Sequence, residues 1–275
     1  MTILITGGRG KIARAVAAGL VSAGRDVRIA SRSPEDLPGA VGWDFGDPSS
    51  LAAAIDGITQ VFLYAEPSTA GVFATAADAA GVRQVVLLSS MSSQADNEDA
   101  AGDPHAETEA LVGRGSYATT YLQPGAFMSN AIFWSHSIRA VGQVRLPYLE
   151  AEEAPIHEQD IADVAVRVLL DGPGGEHDGR GYPLTGPESM TRRSQLAQVA
   201  EITGASFEAV DLSADEARVE MGAAMRRPAQ LEALLSYWSS RVGSPHPIEP
   251  AVEKLTGHSG RTFRTWLADH PGVFA

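Results

Sequence analysis

The stretch Ile3 to Leu20, ILITGGRGKIARAVAAGL, constrains this chain more than any other. Ile3 to Thr6 form a short apolar run suited to a buried parallel strand, and Ile12, Val16 and Leu20 recur at helical spacing after the glycines. A tight turn must join the two. Gly7 and Gly10 let the backbone bend and approach a ligand closely, while the helix that follows offers unpaired N–H groups and the positive end of its dipole. The pyrophosphate of a dinucleotide suits that place. The spacing is G-x-x-G-x-x-A, through Gly7, Gly10 and Ala13, where the commonest fingerprint has G-x-G-x-x-G. Ala13 is still small enough for a helix to pack closely on a strand. The plain alternative is a turn that only connects two elements.

Asp26 to Ala30 reads as the second strand, and its end selects the cofactor. NAD-preferring proteins carry an acid there, about 20 residues past the glycines, to hold the ribose 2′-hydroxyl. This chain has Ser31 and Arg32 instead, with no carboxylate before Glu35. A guanidinium suits a 2′-phosphate, and Arg9 and Lys11 in the glycine turn add charge to the same corner, so NADPH is the expected cofactor.

The chain continues as alternating strands and helices: strands at Val41–Phe45, Gln60–Ala65, Gln84–Leu88 and Tyr117–Gln123, helices at Ser50–Ile55, Ala70–Ala80 and Pro104–Val112. This alternation predicts an α/β fold with a doubly wound parallel sheet, whose ligands lie beyond the carboxyl ends of the strands. Gly7, Arg32, Tyr64, Ala65, Ser89 and Ser90 are then expected in one crevice, with Asp44 and Phe45 against the adenine. The acidic segment Gln94 to Asp103 reads either as a lid over that crevice or as a solvated connection.

A net charge of −13 argues against nucleic acid, and the absence of cysteine removes disulfides and thiolate metal sites. The seven histidines are dispersed, so no metal is expected. The chain opens directly on a strand and holds no apolar run near the ~20 residues of a membrane span. A cytoplasmic protein with no membrane partner is the expectation.

The segments TGGRGKIA (Thr6 to Ala13), ASR (Ala30 to Arg32), LLSS (Leu87 to Ser90), HAETEALV (His105 to Val112), QPGAFMSN (Gln123 to Asn130), PIHEQDIADVA (Pro155 to Ala165) and LTGPESMT (Leu184 to Thr191) occur in this order. With them the chain resembles the atypical short-chain dehydrogenase/reductases, within them the NmrA-like group that includes the type 2 quinone oxidoreductases. The resemblance implies a Rossmann domain binding NADP(H) and a smaller, interleaved C-terminal subdomain closing a substrate cleft over the nicotinamide. It places Gly7, Arg9, Gly10, Lys11 and Ile12 at the phosphates, Arg32 at the 2′-phosphate, and Pro124, Gly125, Ala126 and Phe127 near the nicotinamide. The expected division is residues 1–126 completed by 158–187 for the first domain, and 127–157 with 188–275 for the second.

Two departures from the family stand out. Gln123 occupies a position where relatives commonly have Arg, and the usual Tyr followed four residues later by Lys is missing. The only lysines are Lys11 and Lys254, and His105 and Glu109 stand where the pair is expected. Hydride transfer survives this loss, because it is the cofactor's own chemistry. The acceptor then has to ask little of the protein, as does a quinone, or a polycyclic, polyketide-like aromatic ketone with its own adjacent hydroxyl. Ser90 aligns with the family's catalytic serine, Ser92 competes with it, and His105 is a candidate proton shuttle.

In the second half, Phe127, Asn130, Phe133 and Trp134 read as one wall of a substrate pocket. Met221, Met225, Tyr237 and Trp238 read as an adaptable roof over a flat ligand, against the simpler reading of helical core. Ser213 with Glu216 fits a capping box, and Phe263, Trp266 and Leu267 are expected to dock the terminal helix. The sequence thus points to an NADPH-dependent reductase of a quinone or aromatic ketone. Its rival is a non-catalytic NADP(H) sensor that regulates a protein partner.

Overall fold

The computed structural model describes residues 2–44, 47–94, 103–222 and 228–274. The chain forms two compact units, one of Met1–Gly125, Glu158–Leu184 and Pro250–Ser259, the other of Ala126–His157, Thr185–Glu249 and Gly260–Ala275. Pro250–Ser259 therefore clusters with the first unit, although its sequence position had assigned it to the second.

In the first unit, β1 (Thr2–Ile5), β2 (Asp26–Ser31), β3 (Val41–Gly42), β4 (Ile58–Leu63), β5 (Gln84–Leu88), β6 (Ala118–Pro124) and β9 (Arg180–Leu184) form one parallel sheet. Their order is β3-β2-β1-β4-β5-β6-β9, the reversal beside β1 that creates a crevice at the strand ends. β3 stops at Gly42, short of the expected run, and Phe45 lies outside the described residues. The helices α1 (Lys11–Ser22), α2 (Pro48–Ile55), α3 (Pro67–Ala80), α4 (Pro104–Val112), α6 (Glu158–Asp171) and α10 (Ala251–Thr256) belong to this unit.

Two devices hold α6 to the sheet. Gly19 of α1 leaves space for Val166, whose Cγ2 would lie 2.8 Å from a Cβ at residue 19. Gln60 Nε2 donates to Gln84 Oε1 at 2.5 Å and to Leu169 O at 2.7 Å, and Gln84 Nε2 donates to Val168 O at 3.1 Å. The two buried amides thus share one bond and donate to carbonyls near the end of α6, where few intrahelical donors remain.

In the second unit, α5 (Ile132–Val141) leads into β7 (Gln143–Pro147), which pairs in parallel with β11 (Glu208–Leu212). β8 (Glu152–Glu153) pairs antiparallel with β10 (Met190–Thr191). Around them lie α7 (Arg192–Thr203), α8 (Ala214–Gly222), α9 (Pro228–Ser240) and α11 (Phe263–Asp269). Phe263, Trp266 and Leu267 of α11 are fully buried with Trp134, Leu196 and Val199, as the terminal pattern predicts. The Ser213–Glu216 capping box also forms, with Glu216 accepting from Ser213 N at 2.8 Å. Among the described residues no helix is long and apolar enough to cross a membrane.

Candidate dinucleotide site and serine cluster

The glycine turn is built by its neighbours. Thr6 Oγ1 donates to Phe62 O at 3.2 Å and accepts from Tyr64 N at 2.7 Å, locking the end of β1 to the end of β4. Gly7 adopts φ +66°, and a Cβ there would meet the Tyr64 ring at 2.9 Å. At Gly10 a Cβ would lie 3.2 Å from Gly7 O, closing the concave side of the turn. Gly8, which the sequence reading passed over, is equally constrained: Ile29 Cγ2 lies 2.2 Å from where its Cβ would stand. Gly10 is the N-cap of α1 and supplies no side-chain cap, so the first-turn N–H groups are left for a ligand. These features fit a pyrophosphate.

A cavity of about 720 Å³ opens beside the turn, lined by Gly7, Arg9, Ser31, Arg32, Tyr64 and Ala65 among others. Six cofactor-side residues expected from sequence thus converge, and Asp44 joins them. Trp43, Glu66 and Thr69 also line it and were missed, because an aromatic after a two-residue strand and two polar residues at the cap and first turn of α3 carry no periodic signal. Arg32 is exposed and makes no ion pair among the described residues, whereas Arg9 Nη1 sits 3.1 Å from Asp36 Oδ2. Lys11 is exposed at the start of α1, and Ile12 turns its side chain into the core and offers only its backbone. Burial pushes the Tyr64 phenol up to about 12, keeping it a neutral donor near neutral pH.

Ser90 is not part of this cavity's lining. It lies after β5 in a run that ends in the short 3-10 turn Met91–Ser93, where Ser90 Oγ accepts from Ser92 N at 3.2 Å and from Ser92 Oγ at 3.1 Å. Beside it is a cluster that sequence reasoning did not find. Glu109 Oε1 accepts from Ser89 Oγ at 2.5 Å, from Ser93 Oγ at 2.6 Å and from Gln123 Nε2 at 3.0 Å. The charge of Glu109 adds to burial in raising the Tyr121 phenol. His105 is exposed, its backbone N–H held by Asp103, the N-cap of α4. Gly125 N donates to Leu184 O at 3.0 Å beyond Pro124, while Ala126 and Phe127 bond or bridge to Ile156 within the second unit.

Several expected substrate contacts are corrected. Phe133 is 79% exposed and Trp134 is buried in the core of the second unit, so they do not share a wall; adjacent helical residues point about 100° apart. Asn130 is exposed. Trp238 is core, not roof: it is buried with Leu231 and Leu235, its indole N–H donates to Glu153 Oε1 at 2.9 Å, and the Arg192 guanidinium stacks 4.1 Å over its ring. Met221 packs against the same cluster, and Met225 lies outside the described residues, as does most of the acidic segment read as a lid. Asp160, Asp163 and His258 bring ligand atoms within 4.8 Å of one another, a grouping hidden by some 95 residues of separation; His258 Nε2 already meets Asp163 Oδ2 at 3.2 Å.

Residues 7–172 match the sequence profile of a family described as NAD(P)H-binding, more than half of the chain. The chain belongs to the NAD(P)H-binding family. Along nearly its whole length, this NAD(P)H-binding protein is 37% identical to the (4-alkanoyl-5-oxo-2,5-dihydrofuran-3-yl)methyl phosphate reductase of Streptomyces griseus, covering 99% of both chains. It is 28% identical to the NAD(P)H azoreductase of Xenophilus azovorans, over 84% of this chain and 82% of that one. Its fold is shared with an NADPH-dependent quinone oxidoreductase of Escherichia coli, at a TM-score of 0.80 and 20% identity over 98% and 99% of the two chains. The regulator NmrA has the same fold, at a TM-score of 0.73 and 14% identity over 99% of this chain and 95% of that chain.

Proposed function

We propose that this chain, an NAD(P)H-dependent oxidoreductase, uses NADPH to reduce a quinone or a ketone conjugated to an aromatic or unsaturated ring. The observation that carries the reading is the corner at the end of β2, where Arg32 lies exposed and lines the cavity that adjoins the glycine turn. Gly7, Gly10 and the uncapped start of α1 would hold the pyrophosphate, Arg32 and Arg9 the 2′-phosphate. When bound, the cofactor supplies a hydride from its nicotinamide.

The chain itself contributes orientation and one hydroxyl. Ser90 has both of its acceptor positions filled by Ser92 and no acceptor for its proton among the described residues, so it can donate to the acceptor oxygen on which charge develops. Ser92 has already given its proton to Ser90, which favours Ser90 between the two. With no Tyr followed by Lys at the fourth position, the final proton comes from water or from a phenol of the acceptor itself. Acceptors that delocalise the incoming charge need least further help. The relatives named for acyl-furanone and azo compounds, and the structural neighbours named for quinones and triphenylmethane dyes, support that class.

The test follows NADPH absorbance with purified protein against quinones, acyl-furanones and hydroxylated polycyclic ketones, with products identified by mass. Consumption coupled to a reduced product is expected. Tight NADP(H) binding without turnover favours instead a redox sensor that regulates a protein partner.

A further inference from the structure

The run Ser89 to Ser93 carries four hydroxyls, and three of their protons have acceptors. Ser89 donates to Glu109, Ser92 donates to Ser90 Oγ, and Ser93 Oγ is held between Glu109 Oε1 at 2.6 Å and Ser90 O at 2.7 Å. Gln123 Nε2 completes the cluster, 3.0 Å from Ser93 Oγ and 3.3 Å from Glu109 Oε2. An ionised carboxylate only accepts, so every group around Glu109 must point its proton toward it. Among the described residues no Lys or Arg pairs with Glu109, and neutral donors alone meet its charge. Their orientation is therefore dictated by that carboxylate.

We propose that Glu109 is a positioning residue for the reduction: by taking the protons of Ser89 and Ser93 it leaves Ser90 as the one hydroxyl of the run able to donate to an acceptor. Ser93 transmits the effect, since its single hydroxyl proton has two acceptors within reach, Glu109 Oε1 at 2.6 Å and Ser90 O at 2.7 Å, and the carboxylate holds it away from the Ser90 carbonyl. The proposal rests on the reading of Ser90 as the donor in NADPH-dependent reduction. A glutamine at 109 keeps the size of the side chain but brings an N–H₂ that needs acceptors. It would turn Ser89 or Ser93 around, which frees a competing Ser89 proton or passes the Ser93 proton to the Ser90 carbonyl and so shifts the Ser90 backbone.

The experiment is a double-mutant cycle in steady-state turnover of NADPH and the best acceptor. Ser90→Ala is expected to lower kcat by about a hundredfold, and Glu109→Gln by about tenfold with the KM for NADPH unchanged. Because Glu109 acts through Ser90, Glu109→Gln made in the Ser90→Ala background should change kcat by less than about twofold. Should Glu109→Gln lose its thermal unfolding transition, Ser93→Ala serves in the same cycle. Losses that multiply, an unchanged kcat in Glu109→Gln, or a KM for NADPH that rises in step overturns the positioning role alone. A fully active Ser90→Ala, or wild-type protein that consumes no NADPH with any acceptor, overturns the reading on which it rests.

Discussion

The side-chain amide of Gln123 donates to Glu109 Oε1 at 3.0 Å, where the resembled family commonly has arginine, so a partly buried carboxylate is met by a neutral group. Gly181 on β9 makes room for it: a Cβ there would lie 2.7 Å from Gln123 Oε1. Gln123→Leu would withdraw that donor from Glu109 and from Ser93 while keeping much of the volume. A loss of about 1–3 kcal/mol is expected, read as a lower urea midpoint at unchanged m-value.

Arg32 carries the cofactor preference. Arg32→Ala should weaken NADPH binding by about ten- to a hundredfold, roughly 1.4–2.8 kcal/mol, and leave NADH binding nearly unchanged. Titration calorimetry with both nucleotides checks this; equal losses for the two would show that Arg32 does not meet the 2′-phosphate.

The two glycines of the turn should fail in different ways. Gly7 has φ +66° and the Tyr64 ring against it, so Gly7→Ala is expected to cost about 1–3 kcal/mol of stability. Gly10, at φ −71° and ψ 146°, has a backbone any residue adopts. Gly10→Ala should lose less stability than Gly7→Ala, its Cβ standing 3.2 Å from Gly7 O, and bind NADPH at least tenfold more weakly, because that Cβ stands on the concave side of the turn. Thermal melting and nucleotide titration of both variants separate the effects.

Alkali should unfold the protein through its tyrosines. Burial holds the Tyr64 phenol up to about 12, and raises that of Tyr117, which also donates to Val112 O at 2.9 Å. Between pH 10 and about 12 the unfolded chain releases these protons while the folded chain keeps them. The stability they contribute is therefore fully present below pH 10 and falls as pH rises through that window. Phenolate absorbance should appear together with unfolding, and Tyr64→Phe should shift the midpoint to higher pH.

Much of the architecture is legible in short-range patterns. Helix α1 and strand β5 follow from apolar spacing, and Asp103 with Pro104 marks the start of α4. The β7–β11 pair and α10 are less visible: Gln143–Pro147 is a mixed segment whose partner lies some 65 residues away, and six-residue α10 has almost no period to read. The site divides the same way. The residues of the glycine turn and the end of β2 announce themselves by type and spacing, and they meet in one cavity because parallel strands bring their carboxyl ends together.

By itself, then, the sequence determined a strand–glycine turn–helix that accepts a pyrophosphate, an alternation that yields a parallel sheet, and an arginine where an acid would select NAD. These depend on backbone geometry and on neighbours a few positions apart. Only the tertiary structure decided which polar and aromatic side chains find one another. It buried Trp134 and left Phe133 in solvent, tied Trp238 to Glu153 across 85 positions, and gathered Ser89, Ser93 and Gln123 around Glu109. A hydrogen bond is satisfied by whichever partner the packed chain brings within 3 Å, and sequence proximity carries no record of that choice.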